Sequence, residues 1–259
     1  QDDGSFQQPT GEYGHQELRQ FPKDTSVVAE PELENNNVLL VCLANSRKLS
    51  GRYIAGKIFT HGIRADWERP VSSRVTGQLS NNEISFQQGG PLKLLDIISL
   101  KLLSSVSHPY QSENWLNDVK TSWERVGELA EKKLDELCDE PNTLWLNGYH
   151  SYNGLNDRFP VEIAREHIVN SLRFIKPESM IICVEEELNG KIKVRCRFAH
   201  NGETYALVVT DPVAEKKYLE KGNGEYPMNS KNTYLCISIG EPYQGFCYKL
   251  AAGIIVLKD

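Results

Sequence analysis

Apolar residues in the first part of the chain fall into short runs, and these predict strands. The first run, 38–44, is unbroken and has strand length. Residues 49–90 are rich in Gly, Ser, Asn and Gln with short apolar pieces, which favours short strands and loops. The run 92–103 predicts one long strand. These elements predict a first small barrel over 38–110.

A second group of apolar runs follows in the C-terminal part. The dipeptides Asn189-Gly190 and Asn201-Gly202 join three of these runs, and both favour tight hairpin turns. About five strands in about 90 residues have the size of an OB-fold barrel, so the sequence predicts a second barrel over 166–259. The runs that predict its strands are 167–175, 180–187, 191–199, 203–210, 233–239 and 246–257.

Between the two groups, apolar residues recur at steps of three and four, which predicts one long amphipathic helix over 113–138. Pro141 would end it, and a loop with several aromatics and glycines follows to 165. The predicted fold is therefore α+β and mostly β, with two OB-like barrels joined by a helical connector and loop over 111–165. The residues that define the helical stripe are Trp115, Leu116, Val119, Trp123, Val126, Ala130, Leu134 and Leu137.

The negative charge of the chain is concentrated at its start. Residues 1–37 hold eight of the 35 acids and two of the 29 bases, so 27 of each remain and the rest of the chain is electrically neutral. The same segment is rich in Gln, Asn and Pro, and we expect it to be a disordered acidic leader or linker. For identifying a binding surface, the distribution of charge along the rest of the chain is therefore more informative than the net charge.

Composition also narrows the classes of function. None of the six cysteines forms a CxxC pair and the six histidines are scattered, so we expect no metal and no cofactor. The cysteines sit within apolar runs, which favours buried thiols in a reducing, cytoplasmic compartment. No apolar run approaches the roughly 18 residues of a membrane span, so we expect no membrane partner. Phosphate-loop, nucleophile-elbow and zinc-protease motifs are missing, and no catalytic residue can be assigned.

A basic segment, 46–74, is the first candidate binding surface. It carries seven bases against two acids, with Tyr53, Phe59 and Trp67 interleaved. Cations for phosphates and aromatic faces for bases are what a single-strand groove needs. The alternative to a binding surface is a loop whose cations are simply solvated and whose aromatic side chains pack in the core. The predicted nucleic-acid contacts here are Arg47, Lys48, Arg52, Trp67 and Arg69.

The second candidate is the alternating run from Lys191 to Arg197. Lys191, Lys193, Arg195 and Arg197 would share one face of a strand. A two-residue Asn-Gly turn would place Glu186 opposite Lys193, which leaves three cations as a binding ridge. An internal ladder of salt bridges is the alternative. We expect Lys193, Arg195 and Arg197 to contact nucleic acid, with an affinity that falls steeply with salt.

A third candidate is a polar pocket in the first barrel. Arg and Lys would clamp a phosphate and Asn would bind a base edge, which suits an enzyme acting on a nucleotide or a nucleic-acid base. Glu241, in the Gly- and Pro-containing loop 240–246, is a lone candidate acid or base, although a simple turn explains it as well. The pocket candidates are Asn45, Ser46, Ser72 and Glu241, beside Arg47, Lys48 and Arg69.

Several of these segments together resemble the bacterial dual OB-fold domain family, over roughly 38–257. The resemblance implies two OB-like barrels and a role in nucleic-acid binding or modification, within bacterial defence or mobile-element systems. It implies no catalytic residue. The matching segments are Val41-Cys42-Leu43-Ala44-Asn45-Ser46-Arg47-Lys48, Gly51-Arg52, Ala55-Gly56-Lys57, Trp67, Arg69-Pro70-Val71-Ser72, Leu94-Leu95-Asp96-Ile97, Tyr110-Gln111, Glu113-Asn114, Leu144-Trp145, Asp157-Arg158, Thr210-Asp211-Pro212, Leu235-Cys236-Ile237-Ser238-Ile239-Gly240-Glu241-Pro242 and Tyr248-Lys249-Leu250-Ala251-Ala252.

Three hypotheses for function follow. The first is an accessory protein that binds nucleic acid, single strands rather than duplex. The second is the enzyme with the polar pocket. The third is a protein-interaction module of a larger complex. An exposed Trp115 or Trp123 on the predicted helix would favour this third hypothesis.

Overall fold

The computed structural model describes residues 37–48, 51–60, 62–86, 89–187 and 189–257. The side chains of residue 48 and of residues 60–65 lie outside the description as well. The predicted acidic leader, apart from Asn37, also lies outside the described residues.

The first barrel closes on itself with five strands. Their order is β1-β2-β3-β5-β4, and β4 pairs back onto β1. The pair β3–β5 is parallel and the other neighbours are antiparallel. A sixth strand, β6, adds to β4. The bounds are β1 Asn37–Lys48, β2 Gly51–Thr60, β3 Gly62–Val71, β4 Asp96–Ser105, β5 Asn114–Asn117 and β6 Glu124–Glu128.

The second sheet repeats this order. Its path is β12-β9-β10-β11-β14-β13-β8, and β7 pairs with β14. Strands β8 and β9 are only three residues apart along the chain, so the order β9-β10-β11-β14-β13-β8 matches the strand order of the first barrel, again with one parallel pair, β11–β14. The bounds are β7 Arg158–Pro160, β8 Leu172–Ile175, β9 Ser179–Glu186, β10 Ile192–His200, β11 Glu203–Val209, β12 Gly224–Met228, β13 Thr233–Ile239 and β14 Phe246–Val256.

The described helices are short. They are α1 Leu134–Leu137, α2 Val161–His167 and α3 Pro212–Leu219, with 3-10 turns at Glu131–Lys133 and Ser230–Asn232. Asp211 caps the N-terminus of α3, and its carboxylate accepts from the amides of Val213 and Ala214. Within the described residues, no helix combines the length and the apolar character that a membrane crossing requires. The mostly β character predicted from the sequence is confirmed.

The predicted long helix over 113–138 is wrong. This region forms β5, β6, a 3-10 turn and α1. Trp123 is fully buried in the first barrel and its Nε1 donates to Asn117 at 3.0 Å, whereas Val119 points into solvent. Asp118 binds the amide of Lys120 and makes a turn between the strands. Burial inside the barrel therefore overrides the helical spacing. Because Trp123 is covered, it cannot contribute to the exposed stripe that the interaction-module hypothesis requires.

Strand β1 is buried on both of its faces. Leu40 and Cys42 pack inside the first barrel, and Val41 and Leu43 pack against the second. Cys236 of β13 belongs to this inter-barrel core. Two apolar faces explain why the run 38–44 is unbroken rather than alternating.

Two glycines allow backbone to approach backbone around β1. A Cβ at Gly56 of β2 would overlap the carbonyl oxygen of Val41, and a Cβ at Gly253 of β14 would overlap that of Leu43. Only glycine fits at either position without a shift of the chain. The second contact joins the two barrels directly.

The hairpin β9–β10 has a different register from the predicted one. Glu185, not Glu186, lies opposite Lys193, and Cys183 lies opposite Arg195. Gly190 adopts a φ of +75°, and the amide of Glu187 donates to the carbonyl of Lys191, so the loop has three residues instead of two.

Candidate nucleic-acid interface

A groove runs across the outer face of the second barrel and into the cleft between the barrels. It consists of two cavities that share Tyr248 and Leu250 of β14 as lining residues. The first, the inter-barrel cavity, has a volume of about 280 Å³. The second, the second-barrel cavity, has about 410 Å³.

The second-barrel cavity lies on the face that OB-folds use for ligands. Lys193 and Arg195 come from β10, Val208 from β11, and Tyr248 from β14. Asn189, in the β9–β10 loop, and Tyr243, in the β13–β14 loop, complete this side. The face of the second and third strands, with these two loops, is where OB-folds bind oligonucleotides and oligosaccharides.

Arg195 forms the floor of this cavity. Its side chain is only 5% exposed, and its Nη2 donates to Glu187 Oε1 at 2.6 Å. Its Nε and Nη1 have no hydrogen-bond partner within the described residues. Asp157 Oδ2 is 3.9 Å from Nη1 and Glu185 Oε1 is 3.7 Å from Nε, both too long for hydrogen bonds. The guanidinium is therefore buried, with Nη2 hydrogen-bonded to Glu187 and the other two nitrogens without a hydrogen-bond partner among the described residues.

The loop 151–157, which is held by internal hydrogen bonds, forms the opposite wall of the second-barrel cavity. Asp157 is buried and accepts hydrogen bonds from both the amide and the hydroxyl of Ser151. A Cβ at Gly154 would overlap the Asp157 carboxylate, so this glycine lets the loop close over it. Asn156, at a φ of +49°, donates from Nδ2 to the carbonyl of Thr204 in β11. The wall is thereby fixed to the barrel.

Three tyrosines line the second-barrel cavity. Tyr152 is 77% exposed and Tyr243 is 63% exposed. The ring of Tyr243 is 6.5 Å from that of Tyr248, which is half-buried. Arg158 packs on the ring of Phe246 at 4.2 Å and donates to the Tyr248 hydroxyl at 3.3 Å, which fixes that ring. Exposed aromatic faces beside a groove are suited to stacking of bases.

The charges in this cavity cancel. Lys193 pairs with Glu187 at 2.8 Å, and Arg195 lies between Glu187 and Asp157. Burial alone would raise the pKa of Glu187, but hydrogen bonds from Lys193 and Arg195 bring it below its ordinary value. Arg197, outside the cavity, pairs with Glu225 at 3.2 Å. The ridge of uncompensated cations expected on β10 is therefore absent from these described positions.

Comparison with known families fits this architecture. The family model of the dual OB-containing domain matches residues 39–254. The chain belongs to the dual OB-containing domain family. No curated protein and no solved structure matches it. The resemblance to a dual OB-fold domain family is thus confirmed, and the repeated strand order of the two barrels is the structural counterpart of the family's description.

In the first barrel of this dual OB protein, two of the predicted contacts are buried. Trp67 Nε1 donates to Asp139 Oδ2 at 3.0 Å, so the ring is covered and cannot stack on a base. Arg69 pairs with Glu113 at 3.1 Å and donates to Ser171 at 2.9 Å, both largely buried. Arg69 thereby links β3 to Ser171, which precedes β8 of the second barrel. Trp67 links β3 to Asp139, whose carboxylate also accepts from the amide of Phe174 in β8.

Of the other predicted cations, Arg47 lines the inter-barrel cavity and Arg52 does not. Arg47 is exposed and pairs with Glu215 of α3 at 2.8 Å. Arg52 faces Arg47 across the β1–β2 ladder, and its Nη1 is buried without a hydrogen-bond partner in the described part of the chain. The side chain of Lys48 lies outside the described residues.

The predicted polar pocket is assembled only in part. Ser46, Arg47, Arg69 and Glu241 all line the inter-barrel cavity of the dual OB protein, together with Tyr53, Gln111 and Ser238. Asn45 instead lines a separate cavity of about 490 Å³ beside α3, and Ser72 is not among the lining residues of either. Ser46 Oγ donates to Thr210 at 2.8 Å. Within the described residues no group of three or more metal-binding side chains comes together.

Sequence reasoning missed the wall of the second-barrel cavity. Tyr152, Asn153 and Asp157 lie in the segment predicted to be a loop, and Tyr243 lies in the segment considered for Glu241 alone. The available signal was the combination of glycines and aromatics in these two segments. Such loops, when placed by a rigid barrel, are where binding residues concentrate.

Proposed function

We propose that this dual OB protein binds single-stranded nucleic acid along the groove, as a cytoplasmic accessory protein of a bacterial defence or nucleic-acid modification system. The observation that carries the proposal is a cavity of about 410 Å³ on the ligand face of the second barrel, lined by three tyrosines together with Lys193 and Arg195. The six free cysteines support a reducing compartment.

Stacking is the main source of affinity in this proposal. Tyr152 and Tyr243 offer exposed ring faces, and Tyr248 continues toward the inter-barrel cavity. One stacked base contributes about 1–3 kcal/mol at single-strand sites. The two cavities share Tyr248 and Leu250 as lining residues and are therefore neighbours, so in this proposal one strand occupies both.

The balanced charges change the expected salt dependence. Among the side chains that the structure describes, Arg47 and Lys193 are the partly exposed cations that line the groove. For single strands, log K falls with log salt by about 0.7 for each phosphate neutralised, so two contacts give a slope of about −1.4. Binding should therefore weaken only gently with salt, unlike the steep dependence expected from the sequence.

Fluorescence anisotropy with labelled strands of about 16 nucleotides tests the proposal, since one OB-fold covers about 4–16 nucleotides. We expect single-stranded DNA or RNA to bind more tightly than duplex. The double variant Tyr152→Ala, Tyr243→Ala should weaken binding at least about tenfold, because two stacking faces are lost.

The matched control is Tyr149→Ala, which removes an exposed tyrosine that lines neither cavity. It should leave the affinity unchanged. Wild-type protein that binds no strand, or a double variant that binds as well as wild type, would show that the groove is not the site.

A further inference from the structure

We infer that the cavity beside α3 docks a peptide segment of a partner protein, one that combines aliphatic side chains with carboxylates. This α3 cavity has a volume of about 490 Å³ and shares no lining residue with the two cavities of the groove. Ala44 and Ser46 line the inter-barrel cavity, whereas Asn45 lines the α3 cavity. Since successive side chains of a strand point to opposite faces, the two cavities lie on opposite sides of β1. The docking site is therefore independent of the proposed function.

Both barrels build the walls of the α3 cavity, and those walls are mainly aliphatic. Residues 91–94 come from the first barrel, and α3 with the end of β14 comes from the second. Val213 of α3 is 74% exposed and Val256 of β14 is 46% exposed. Aliphatic side chains of a partner would remove this apolar surface from water.

The walls suit a peptide better than a nucleobase. Tyr218 is the one aromatic residue that lines the α3 cavity, and it is only 4% exposed. A base would therefore find no open ring face for stacking, in contrast with the exposed tyrosines of the second-barrel cavity.

The charges of the α3 cavity select acidic ligands. Lys93 and Lys217 line it, both are exposed, and neither forms a salt bridge among the described residues. Asp211 is the one acid among the lining residues, and its buried carboxylate already accepts from three backbone amides of α3 and β14. A carboxylate on a partner would meet two cations, whereas a basic partner would be repelled.

Selection of random peptides displayed on phage, with the wild-type chain as bait, tests this chemistry directly. We expect enriched peptides to carry leucine, isoleucine or valine beside aspartate or glutamate. One enriched peptide, synthesised with a fluorescent label, then gives an affinity by anisotropy.

Two variants locate the labelled peptide. Val213→Asp places a carboxylate in the α3 cavity at an exposed position in the first helical turn, where an acid is compatible with the helix dipole. It should weaken binding at least about tenfold, through loss of apolar contact and repulsion of the acidic peptide. Val169→Asp is the matched control, because Val169 is 71% exposed and lines none of the three cavities. It should leave the affinity unchanged.

Lys217→Glu should also weaken binding, and more strongly at low salt. Its control is Lys216→Glu, which makes the same change of charge on the same helix at a residue that does not line the α3 cavity. The Lys216 variant should bind nearly as well as wild type.

Several results overturn the inference. They are failure to enrich any peptide, enrichment of basic peptides, and an affinity that survives in Val213→Asp. Displacement of the labelled peptide by single-stranded nucleic acid would assign the α3 cavity to nucleic acid instead. A wild-type dimer in sedimentation that Val213→Asp separates would assign it to a second copy of the chain. A protein that binds the peptide as expected but binds no nucleic acid strand would contradict the proposed function alone.

Discussion

Asp139 connects the two barrels through one carboxylate, and its removal should have a large effect on stability. Oδ1 accepts from Lys57 Nζ at 2.6 Å. Oδ2 accepts from Trp67 Nε1 at 3.0 Å and from the amide of Phe174 at 2.8 Å. Lys57 and Trp67 belong to β2 and β3 of the first barrel, and Phe174 belongs to β8 of the second.

The size of the effect follows from the burial of Lys57, whose side chain is 1% exposed. In Asp139→Ala the ammonium keeps only the carbonyl of Leu137, at 2.7 Å, as a hydrogen-bond partner among those described. Removal of one member of a buried ion pair costs about 3–5 kcal/mol. Because the Asp139 side chain is 21% exposed, we expect the lower end, about 3 kcal/mol. That corresponds to a fall in Tm of about 6–12 °C.

Urea unfolding followed by tryptophan fluorescence measures this loss. The double variant Lys57→Met, Asp139→Ala should recover most of the stability, since it removes the charge that the single variant leaves buried. Glu136→Ala is the control: its carboxylate pairs with Lys133 at 2.9 Å, both side chains are about half exposed, and such a surface pair contributes less than about 1 kcal/mol. A loss below about 1 kcal/mol in Asp139→Ala, or no recovery in the double variant, would refute the reasoning.

Two other predictions concern β14. Burial lowers the pKa of Lys249 to about 7, so between pH 7 and 10.5 the unfolded chain holds a proton that the folded chain has lost. The free energy of unfolding should therefore rise with pH in that window, relative to Lys249→Met, by at most about 1.4 kcal/mol per unit. Chemical denaturation at several pH values measures the difference, and parallel curves for the two proteins would contradict it. Gly253→Ala places a Cβ on the carbonyl of Leu43 and should cost about 1–3 kcal/mol by thermal unfolding. Gly127→Ala, whose Cβ would meet only Ile97 at ordinary contact distance, should cost much less; equal losses would argue against the close approach of the barrels.

Sequence patterns predicted the parts of the fold that depend on neighbours along the chain. The turn at Asn201-Gly202 forms as expected, with both residues at positive φ and His200 paired with Glu203. The helix over 113–138 failed because Trp123 is buried by the barrel and not by a helix face. A spacing of three and four residues carries no information on which side of a barrel a residue will lie.

Of the residues in the candidate site, only the cations were predictable from the sequence. Lys193 and Arg195 stand out in the sequence, but the carboxylates that neutralise them, Glu187 and Asp157, are placed by a three-residue turn and by a distant loop. Tyr152 reaches the same cavity through that loop. Such encounters are tertiary, and one sequence without its structure does not specify them.

The double burial of β1 constrains how the two halves can diverge. Leu40 and Cys42 must suit the interior of the first barrel, whereas Val41 and Leu43 must suit the wall of the second. Adjacent positions of β1 are therefore constrained by packing against different barrels. A hybrid protein that takes its first barrel from one relative and its second from another would need a β1 with inward residues from the first parent and outward residues from the second.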